Sequence, residues 1–286
     1  VFMISGVTMR INIDEYLMNA LKEDITQEDV STNAVMPEPK QGEVNLICKQ
    51  DGVICGLEVF ERVFKLLDET VVFETELKDG DKVTKGQLMG VVKGDIRALL
   101  SGERVALNYL QRMSGIATMT SELSKELEGY KTKLLDTRKT RPQLRDFEKY
   151  ASRVGGAINH RLGLDDCLML KDTHLRTIDN LEEFVKKARK RISWVTKIEI
   201  ECETLEQVKE AMSAGGDIIM CDNMTIEQIK EVVTFRNENY PHILLEASGN
   251  INLETIRTYA MTGVDAISSG SIIHQATWLD FSMKFD

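Results

Sequence analysis

Cationic side chains cluster near the ends of two apolar, strand-length segments in the middle of this chain. They are Arg138, Lys139, His160, Arg161 and Lys171. Between residues 138 and 161 there are seven lysines and arginines against two acids. Arginine offers a planar fork of donors that matches a carboxylate or a phosphate, and lysine offers a point charge. If the loops that carry these groups meet at one pocket, that pocket suits a small polyanion.

Acidic side chains follow the next two apolar segments. Glu199 and Glu201 lie on the same face of one predicted strand, because side chains in a strand alternate, and Asp222 ends the next strand. Carboxylates without thiols or clustered histidines favour a hard cation such as Mg²⁺, shared with substrate phosphates. The alternatives are contact with ribose hydroxyls, or a structural ion pair between Glu199 and a lysine such as Lys197.

Small residues end the last two apolar segments. They form the triplets Ser248-Gly249-Asn250 and Ser269-Gly270-Ser271. Small side chains let backbone N–H groups approach an anion, and late-strand loops of α/β barrels often hold a phosphate. We therefore predict that a phosphate binds at these two loops.

The elements that must position these residues alternate regularly from residue 133 onward. Six apolar, strand-length runs are separated by amphipathic segments, and a seventh strand is conceivable. Thr204 with Gln207, and Thr225 with Gln228, match the spacing of capping boxes at helix starts. Such alternation predicts a parallel sheet. Polar residues at nearly every strand end favour a barrel over an open doubly wound sheet, and no G-x-G-x-x-G follows the first strand.

The chain changes character near residue 110. We predict an N-terminal α+β domain over residues 1–110 and a catalytic parallel α/β barrel over residues 111–274, incomplete and of the seven-strand type. Residues 275–286 are expected to pack on the first domain. Arg141, Arg145, Lys149 and Arg153, between the first two barrel strands, are expected to be solvated surface charges.

Composition excludes several classes of function. The 286 residues carry a net charge of −10 with 6% aromatics, which argues against a nucleic-acid surface or an anionic-membrane binder. No uncharged run is long enough to span a membrane, and a signal peptide is not expected. Five scattered cysteines without metal-binding spacing predict reduced thiols and a cytoplasmic protein.

Ordered motifs then carry a family resemblance over about residues 14–286. They are Gly102-Glu103-Arg104, Ser114-Gly115-Ile116-Ala117-Thr118, Asp136-Thr137-Arg138-Lys139-Thr140, Glu148-Lys149-Tyr150-Ala151, Asn159-His160-Arg161-Leu162-Gly163-Leu164, Leu170-Lys171-Asp172, Ile198-Glu199-Ile200-Glu201, Asp222-Asn223-Met224 and Glu246-Ala247-Ser248-Gly249-Asn250. The chain resembles the decarboxylating quinolinate phosphoribosyltransferases. The resemblance implies that quinolinate and phosphoribosyl pyrophosphate give nicotinate mononucleotide, pyrophosphate and CO₂, in de novo NAD biosynthesis.

The resemblance also implies residue roles. The quinolinate carboxylates would contact Arg104, Thr137, Arg138, His160, Arg161 and Lys171. The catalytic groups would be Lys139, Lys171, Glu201 and Asp222, of which Glu201 and Asp222 would hold Mg²⁺ partly through the substrate. The 5′-phosphate would lie at Ser248, Gly249, Asn250, Ser269, Gly270, Ser271 and His274. The family assembles as homodimers or larger homo-oligomers, in which Arg104 would reach the neighbouring active site.

Departures from the family pattern leave every charged catalytic group in place. Arg141, Gln143, Ala157 and Thr173 stand where the family commonly has Thr, Gly, Gly and Asn, respectively.

Three alternative functions stay open. They are a paralogue acting on nicotinate or another small aromatic acid, a Schiff-base barrel aldolase using Lys171, and a small-anion binding protein without catalysis.

Overall fold

The computed structural model describes residues 13–285, and the backbone of residues 3–4 and 7–8. Its helices are α1 (Asp14–Asp24), α2 (Val30–Val35), α3 (Leu57–Lys65), α4 (Ile96–Glu126), α5 (Arg145–Val154), α6 (Asp172–Leu175), α7 (Leu181–Arg189), α8 (Leu205–Ser213), α9 (Ile226–Asn239), α10 (Ile256–Ala260) and α11 (Ser271–His274). Its strands are β1 (Met3–Ile4), β2 (Val7–Thr8), β3 (Gln41–Cys48), β4 (Gly52–Val53), β5 (Val72–Glu74), β6 (Lys82–Val83), β7 (Leu88–Asp95), β8 (Lys133–Leu135), β9 (Leu168–Leu170), β10 (Ile198–Cys202), β11 (Ile218–Asp222), β12 (Leu244–Ser248), β13 (Ala266–Ser268) and β14 (Phe281–Lys284).

The first compact unit is α+β. It comprises the described residues up to Ser121 together with 140–156 and those from Gln275 onward. Its main sheet is antiparallel in the order β14-β3-β7-β5. The apolar face of α3 is buried, and the Asp79 carboxylate accepts the Gly56 and Leu57 N–H groups at the start of that helix. The C-terminal strand β14 pairs with β3, so the end of the chain completes this sheet.

The second unit is an open parallel barrel. It comprises residues 122–139 and 157–274, and its six strands lie in the order β8-β13-β12-β11-β10-β9. The last strand, β13, pairs with the first, β8, as in a closed barrel, whereas the described residues form no ladder between β8 and β9. A single parallel bridge joins Leu135 to Ile158 at that gap. The expected incomplete parallel barrel is thus confirmed, with six hydrogen-bonded strands and a single bridge at the position of the seventh.

Local helix signals in the second unit are confirmed. Thr204 accepts the Gln207 N–H at the start of α8, and the Gln207 side chain accepts the Thr204 N–H in return. Thr225 and Gln228 form the same box at α9. Reciprocal capping satisfies backbone donors that have no partner within the helix. These two caps fix where the helices after β10 and β11 begin.

The compact units interleave along the chain, whereas a single boundary near residue 110 was expected. Residues 140–156 belong to the first unit because α5 is anchored there. Its Glu148 pairs with Arg112, and its Tyr150 hydroxyl donates to Asp79. Lys149 is only 1% exposed, so the expectation that it is a solvated surface charge is wrong.

In the part of the chain that the structure describes, none of the helices combines the length and apolar character that a membrane crossing requires.

Candidate active site

A central cavity of about 630 Å³ lies at the carboxyl ends of the strands of the second unit. It is lined by Thr137, Arg138, Lys139, His160, Arg161, Met169, Lys171, Glu201, Met220, Asp222, Asn223, Glu246, Ser248, Gly249, Asn250 and Ser268. Parallel strands present their carboxyl ends at one edge, which is why residues scattered over more than 100 positions meet there. The five clustered cations, two of the three predicted acids (Glu201 and Asp222) and the first small-residue loop therefore line one cavity.

Cationic and acidic groups face one another across the cavity. The Lys171 Nζ lies 2.9 Å from the Glu201 carboxylate, joining the end of β9 to β10. The Lys171 side chain is 45% exposed and that of Glu201 is 11% exposed. The Arg161 guanidinium donates to the Cys167 carbonyl at 3.2 Å. These contacts orient the two cationic groups at the rim while leaving further donors on each for an anion.

The loop that carries His160 is tied to the end of β8 by Asp136. One carboxylate oxygen of Asp136 accepts the His160 N–H at 2.8 Å, and the other accepts the Asn159 side-chain amide at 2.6 Å. Two backbone hydrogen bonds add to this link, because Ile158 donates to the Leu134 carbonyl and accepts from the Asp136 N–H. Asp136 is fully buried, so it holds the loop and is not a surface acid.

A buried triad lies beneath the cations. The His160 Nε2 is 3.2 Å from carboxylate oxygens of both Glu199 and Glu246, which lie on β10 and β12. The two acids are at most 2% exposed. Burial alone would lower the pKa of His160, but the hydrogen bonds to the two glutamates outweigh it and raise that pKa to about 10. The structural alternative for Glu199, a lysine ion pair, is replaced by this contact with His160.

The Ser248-Gly249-Asn250 loop has a backbone suited to close approach. Gly249 has φ 107°, and a side chain there would collide with the Asn223 amide oxygen. Asn223 in turn donates its backbone N–H to the Ser248 carbonyl and its side-chain amide to Asp222. Glycine is required because only it accepts this conformation and this contact without strain. The turn thereby links Asp222 to the loop.

The second small-residue loop is more enclosed. The hydroxyls of Ser269 and Ser271 lie 2.6 Å apart, within hydrogen-bond distance of each other, and both lie near the Ile251 carbonyl, at 3.0 and 3.3 Å. A Cβ at Gly270 would lie 2.7 Å from Lys139 Cδ and 3.1 Å from a ring carbon of the exposed His274. The two serine hydroxyls thus form hydrogen bonds within this part of the chain, whereas Gly270 and His274 lie beside Lys139.

Arg104 lies in the first unit, on α4. It is exposed and lines a second cavity of about 260 Å³ together with Arg112, Arg141, Tyr109 and other residues of that unit. The Arg141 guanidinium stacks on the Trp278 ring, 5.7 Å from its centroid. That Arg104 reaches a neighbouring active site stays a prediction.

Sequence reasoning missed several residues of the central cavity and its support, among them the polar residues Asp136, Asn223 and Glu246. Glu246 had a signal, because it is an acid inside an otherwise apolar strand, Leu244-Leu245-Glu246-Ala247. A buried acid at such a position needs a partner or a proton. Asp136 carried a similar signal, since it directly follows the apolar run of β8.

Family models and similar curated proteins both assign this chain to one family. The sequence matches the model of the quinolinate phosphoribosyl transferase N-terminal domain over residues 29–114 and that of the C-terminal domain over residues 116–284. It is 42% identical to a probable nicotinate-nucleotide pyrophosphorylase [carboxylating] of Synechocystis, over 96% of this chain and 92% of that protein. The match to the probable enzyme of the same name from Bacillus subtilis is 41% identical, over 96% of this chain and 93% of that protein.

Solved structures of similar proteins support the same family assignment. NadC from Streptococcus pyogenes superimposes with a TM-score of 0.91 and 44% identity, over 97% of this chain and 98% of that one. The nicotinate-nucleotide pyrophosphorylase from Francisella tularensis gives a TM-score of 0.90 and 34% identity, over 96% and 98% of the two chains. With both domain models matched across nearly the whole chain, the chain belongs to the quinolinate phosphoribosyltransferase family.

Proposed function

We propose that this protein transfers the phosphoribosyl group from phosphoribosyl pyrophosphate to quinolinate with loss of CO₂, giving nicotinate mononucleotide and pyrophosphate for NAD biosynthesis. One observation carries the proposal beyond family membership. Arg138, Arg161 and Lys171 line the same cavity as Glu201 and Asp222. A dicarboxylate and a phosphorylated sugar need both kinds of group in one place.

Quinolinate would be held through its two carboxylates. Arg138, Arg161 and Lys171 supply charge-assisted donors from three separate segments, with Thr137 and His160 beside them. Each carboxylate can therefore be clamped at a fixed distance from the reacting nitrogen of the pyridine ring. Such positioning contributes several kcal/mol to a reaction between two bound partners.

The phosphoribosyl donor would lie toward the opposite side, between Lys139 and the Ser248-Gly249-Asn250 loop. Its 5′-phosphate fits this loop and Gly270 with His274, and its pyrophosphate fits Lys139. Glu201 and Asp222 present hard carboxylate oxygens to the cavity, and no cysteine lines it among the described residues. This donor set fits Mg²⁺, which takes one or two carboxylates and completes its shell with phosphate oxygens and water. Bound Mg²⁺ would neutralise charge on the departing pyrophosphate.

In this reaction the protein positions the two substrates and stabilises the charges that develop. The pyridine nitrogen forms a bond to ribose C1 while the C1–oxygen bond to pyrophosphate breaks, and Lys139 stabilises the leaving group. The nitrogen then carries a positive charge. The bond from the adjacent ring carbon to its carboxylate breaks, CO₂ leaves, and the electron pair remains on the ring carbon beside that positive charge. A proton then completes the product.

The Schiff-base alternative is disfavoured by the setting of Lys171. An imine-forming lysine has to be neutral, usually through desolvation or a neighbouring cation. Lys171 instead pairs with Glu201 and is nearly half exposed. Borohydride trapping with a carbonyl substrate distinguishes an aldolase from a phosphoribosyltransferase, because only an aldolase would give a labelled Lys171.

The test is product formation by the purified full chain. With quinolinate, phosphoribosyl pyrophosphate and Mg²⁺, we expect nicotinate mononucleotide and pyrophosphate in equal amounts by chromatography. Arg161→Met should lower kcat/KM for quinolinate by at least about 30-fold, whereas Arg191→Met, at an exposed site of the same unit, should leave it unchanged. Turnover of nicotinate in preference to quinolinate would identify a paralogue, and phosphate binding without turnover would identify a non-catalytic anion binder.

We further propose a cytoplasmic homodimer or larger homo-oligomer in which Arg104 enters the neighbouring active site. Exposure of Arg104 and five free thiols support these two statements. Complementation tests the shared site: Arg104→Ala and Lys139→Ala proteins, each inactive alone, should regain activity when mixed and allowed to exchange subunits. Absence of recovery in a demonstrated mixed oligomer would refute it.

A further inference from the structure

Trp194 lies on a tight turn between α7 and β10 and is almost fully exposed. Its exposed fraction is 98%, and that of the neighbouring Val195 is 81%. The Thr196 N–H donates to the Ser193 carbonyl at 3.0 Å, which places both apolar side chains at the tip of this Trp194 turn, residues 193–196. Tryptophan is enriched among the residues that anchor protein interfaces, because burying its ring removes a large apolar area from water. The Trp194 turn is therefore suited to bind another surface.

Cationic side chains flank the Trp194 turn. Residues 186–197 carry six lysines and arginines and no acid, although the whole chain has a net charge of −10. The three cations on α7 pair with acids of the same unit. Lys190, Arg191 and Lys197 are exposed, and none of them forms an ion pair within the part of the chain that the structure describes. The turn therefore presents an apolar ring among unpaired positive charges, which complements an apolar depression with an acidic rim.

A depression of this kind, the acidic cavity, lies on the same unit near the carboxyl end of β10. Its volume of about 310 Å³ is at the lower end of the range of about 300–1,000 Å³ for ligand pockets, which leaves room for an indole ring. Its apolar lining includes Leu175, Ile178, Leu181 and Ile200. Its carboxylates are those of Asp172, Glu201, Glu203 and Glu210. Arg176 is the single cation among the described residues that line it, and it pairs with Asp172 at 3.6 Å.

The Trp194 turn and the acidic cavity lie at opposite ends of the same strand. The turn directly precedes β10, whereas Ile200, Glu201 and Glu203 of the cavity lie toward the carboxyl end of that strand or just beyond it. The 5 residues of this strand span roughly 16 Å, at about 3.3 Å per residue. The two surfaces therefore cannot meet within one chain, and a contact between them joins two copies head to tail.

We propose that the Trp194 turn of one copy binds in the acidic cavity of a second copy. The Trp194 ring packs against the leucine and isoleucine side chains of the cavity, while Lys190, Arg191 and Lys197 lie opposite its carboxylates. Opposite charges orient such a contact, and a buried tryptophan supplies much of its affinity. The inference does not depend on the proposed activity. It is also a different contact from the entry of Arg104 into the central cavity, since the two cavities share only Glu201 among the described residues.

A contact between unlike surfaces leaves one turn and one cavity free at the ends of each assembly, so the assembly grows with concentration unless it closes into a ring. Sedimentation velocity of the full chain measures this growth. We expect the wild-type sedimentation coefficient to rise with protein concentration, and Trp194→Ser to weaken the association at least about 30-fold, as removal of an interface hot spot does. The control Met261→Ser changes another apolar side chain of the same unit, 66% exposed, and should leave the association unchanged.

A charge exchange tests the two surfaces as partners. Lys190→Glu/Arg191→Glu makes the surroundings of the turn acidic, and Glu203→Lys/Glu210→Lys makes the cavity basic; all four side chains are exposed. Each double variant alone should lose the association, because like charges then face one another. An equimolar mixture of the two should regain it, because each reversed surface meets its complement on the other variant.

Three results would overturn the proposal. The first is a wild-type sedimentation coefficient that does not depend on concentration, or that Trp194→Ser leaves unchanged. The second is a mixture of the two double variants, both folded by circular dichroism, that does not regain the association. The third is binding of the Trp194 turn to vesicles of anionic lipid without self-association, which would place a different partner on it. If Trp194→Ser does not fold, the two double variants and their mixture decide the question alone.

Discussion

Removing the Asp136 carboxylate should detach the loop that carries His160 from the end of β8. The carboxylate accepts hydrogen bonds from the His160 N–H at 2.8 Å and from the Asn159 amide at 2.6 Å, and it is fully buried. A hydrogen bond to a charged group contributes about 1.5–3 kcal/mol. Asp136→Ala should therefore lower the free energy of unfolding by about 3–6 kcal/mol, a large share of the roughly 5–15 kcal/mol typical of a native protein.

Asp136→Asn provides the graded comparison. Its amide oxygen can still accept the His160 N–H, and the Asn159 amide can turn over to accept from the new NH₂ group. Two neutral hydrogen bonds of about 0.5–1.5 kcal/mol each then replace two charge-assisted ones. The expected loss is about 2–3 kcal/mol, with the fold retained and quinolinate binding weakened because His160 is less firmly placed.

Urea unfolding followed by circular dichroism measures both losses, and calorimetry measures quinolinate binding. Asp179→Ala, at an exposed position of the same unit, is the control and should change the free energy of unfolding by less than about 0.5 kcal/mol. If Asp136→Ala unfolds within about 1 kcal/mol of wild type, the carboxylate does not hold the loop, and the assignment of Asp136 as the residue that positions His160 is wrong.

Three further predictions follow from the same contacts. Folding raises the pKa of His160 to about 10, from a value near 6.5 in the unfolded chain. The stability that protonated His160 contributes is therefore complete below pH 6.5 and is lost as the pH rises through about 10. Between pH 7 and 8.5 the free energy of unfolding should fall by about 1.4 kcal/mol per pH unit in wild type, and by clearly less in His160→Gln. Arg161→Ala should cost about 2–5 kcal/mol of quinolinate affinity by calorimetry, and near-normal binding would contradict its assignment. Thr204→Ala should lower the free energy of unfolding by about 1 kcal/mol through loss of the α8 cap, and no measurable change in urea unfolding would show that the cap is dispensable.

Local patterns in the sequence predict the barrel unit well. The six apolar runs became the six strands, and both capping boxes form, because strand burial and helix caps depend on residues a few positions apart. The site followed for the same reason, since parallel strands place their carboxyl ends together. The predicted residues at the ends of β8 to β12 therefore meet without knowledge of any long-range contact.

Features that depend on distant partners could not be predicted. Lys149 has the spacing of a surface residue, and only the docking of α5 in the first unit buries it. The seventh strand is reduced to one bridge at Ile158, a detail of sheet closure that no local pattern records. The contacts of His160 with Glu199 and Glu246 form only when three separate segments of the chain come together.

Release of CO₂ from carboxyl-labelled quinolinate tests the central claim most directly. We predict release by the purified protein only when phosphoribosyl pyrophosphate and Mg²⁺ are both present, with one nicotinate mononucleotide formed per CO₂. Labelled CO₂ that appears without phosphoribosyl pyrophosphate, or no release under any of these conditions, would contradict the assignment of this cavity to decarboxylating phosphoribosyl transfer.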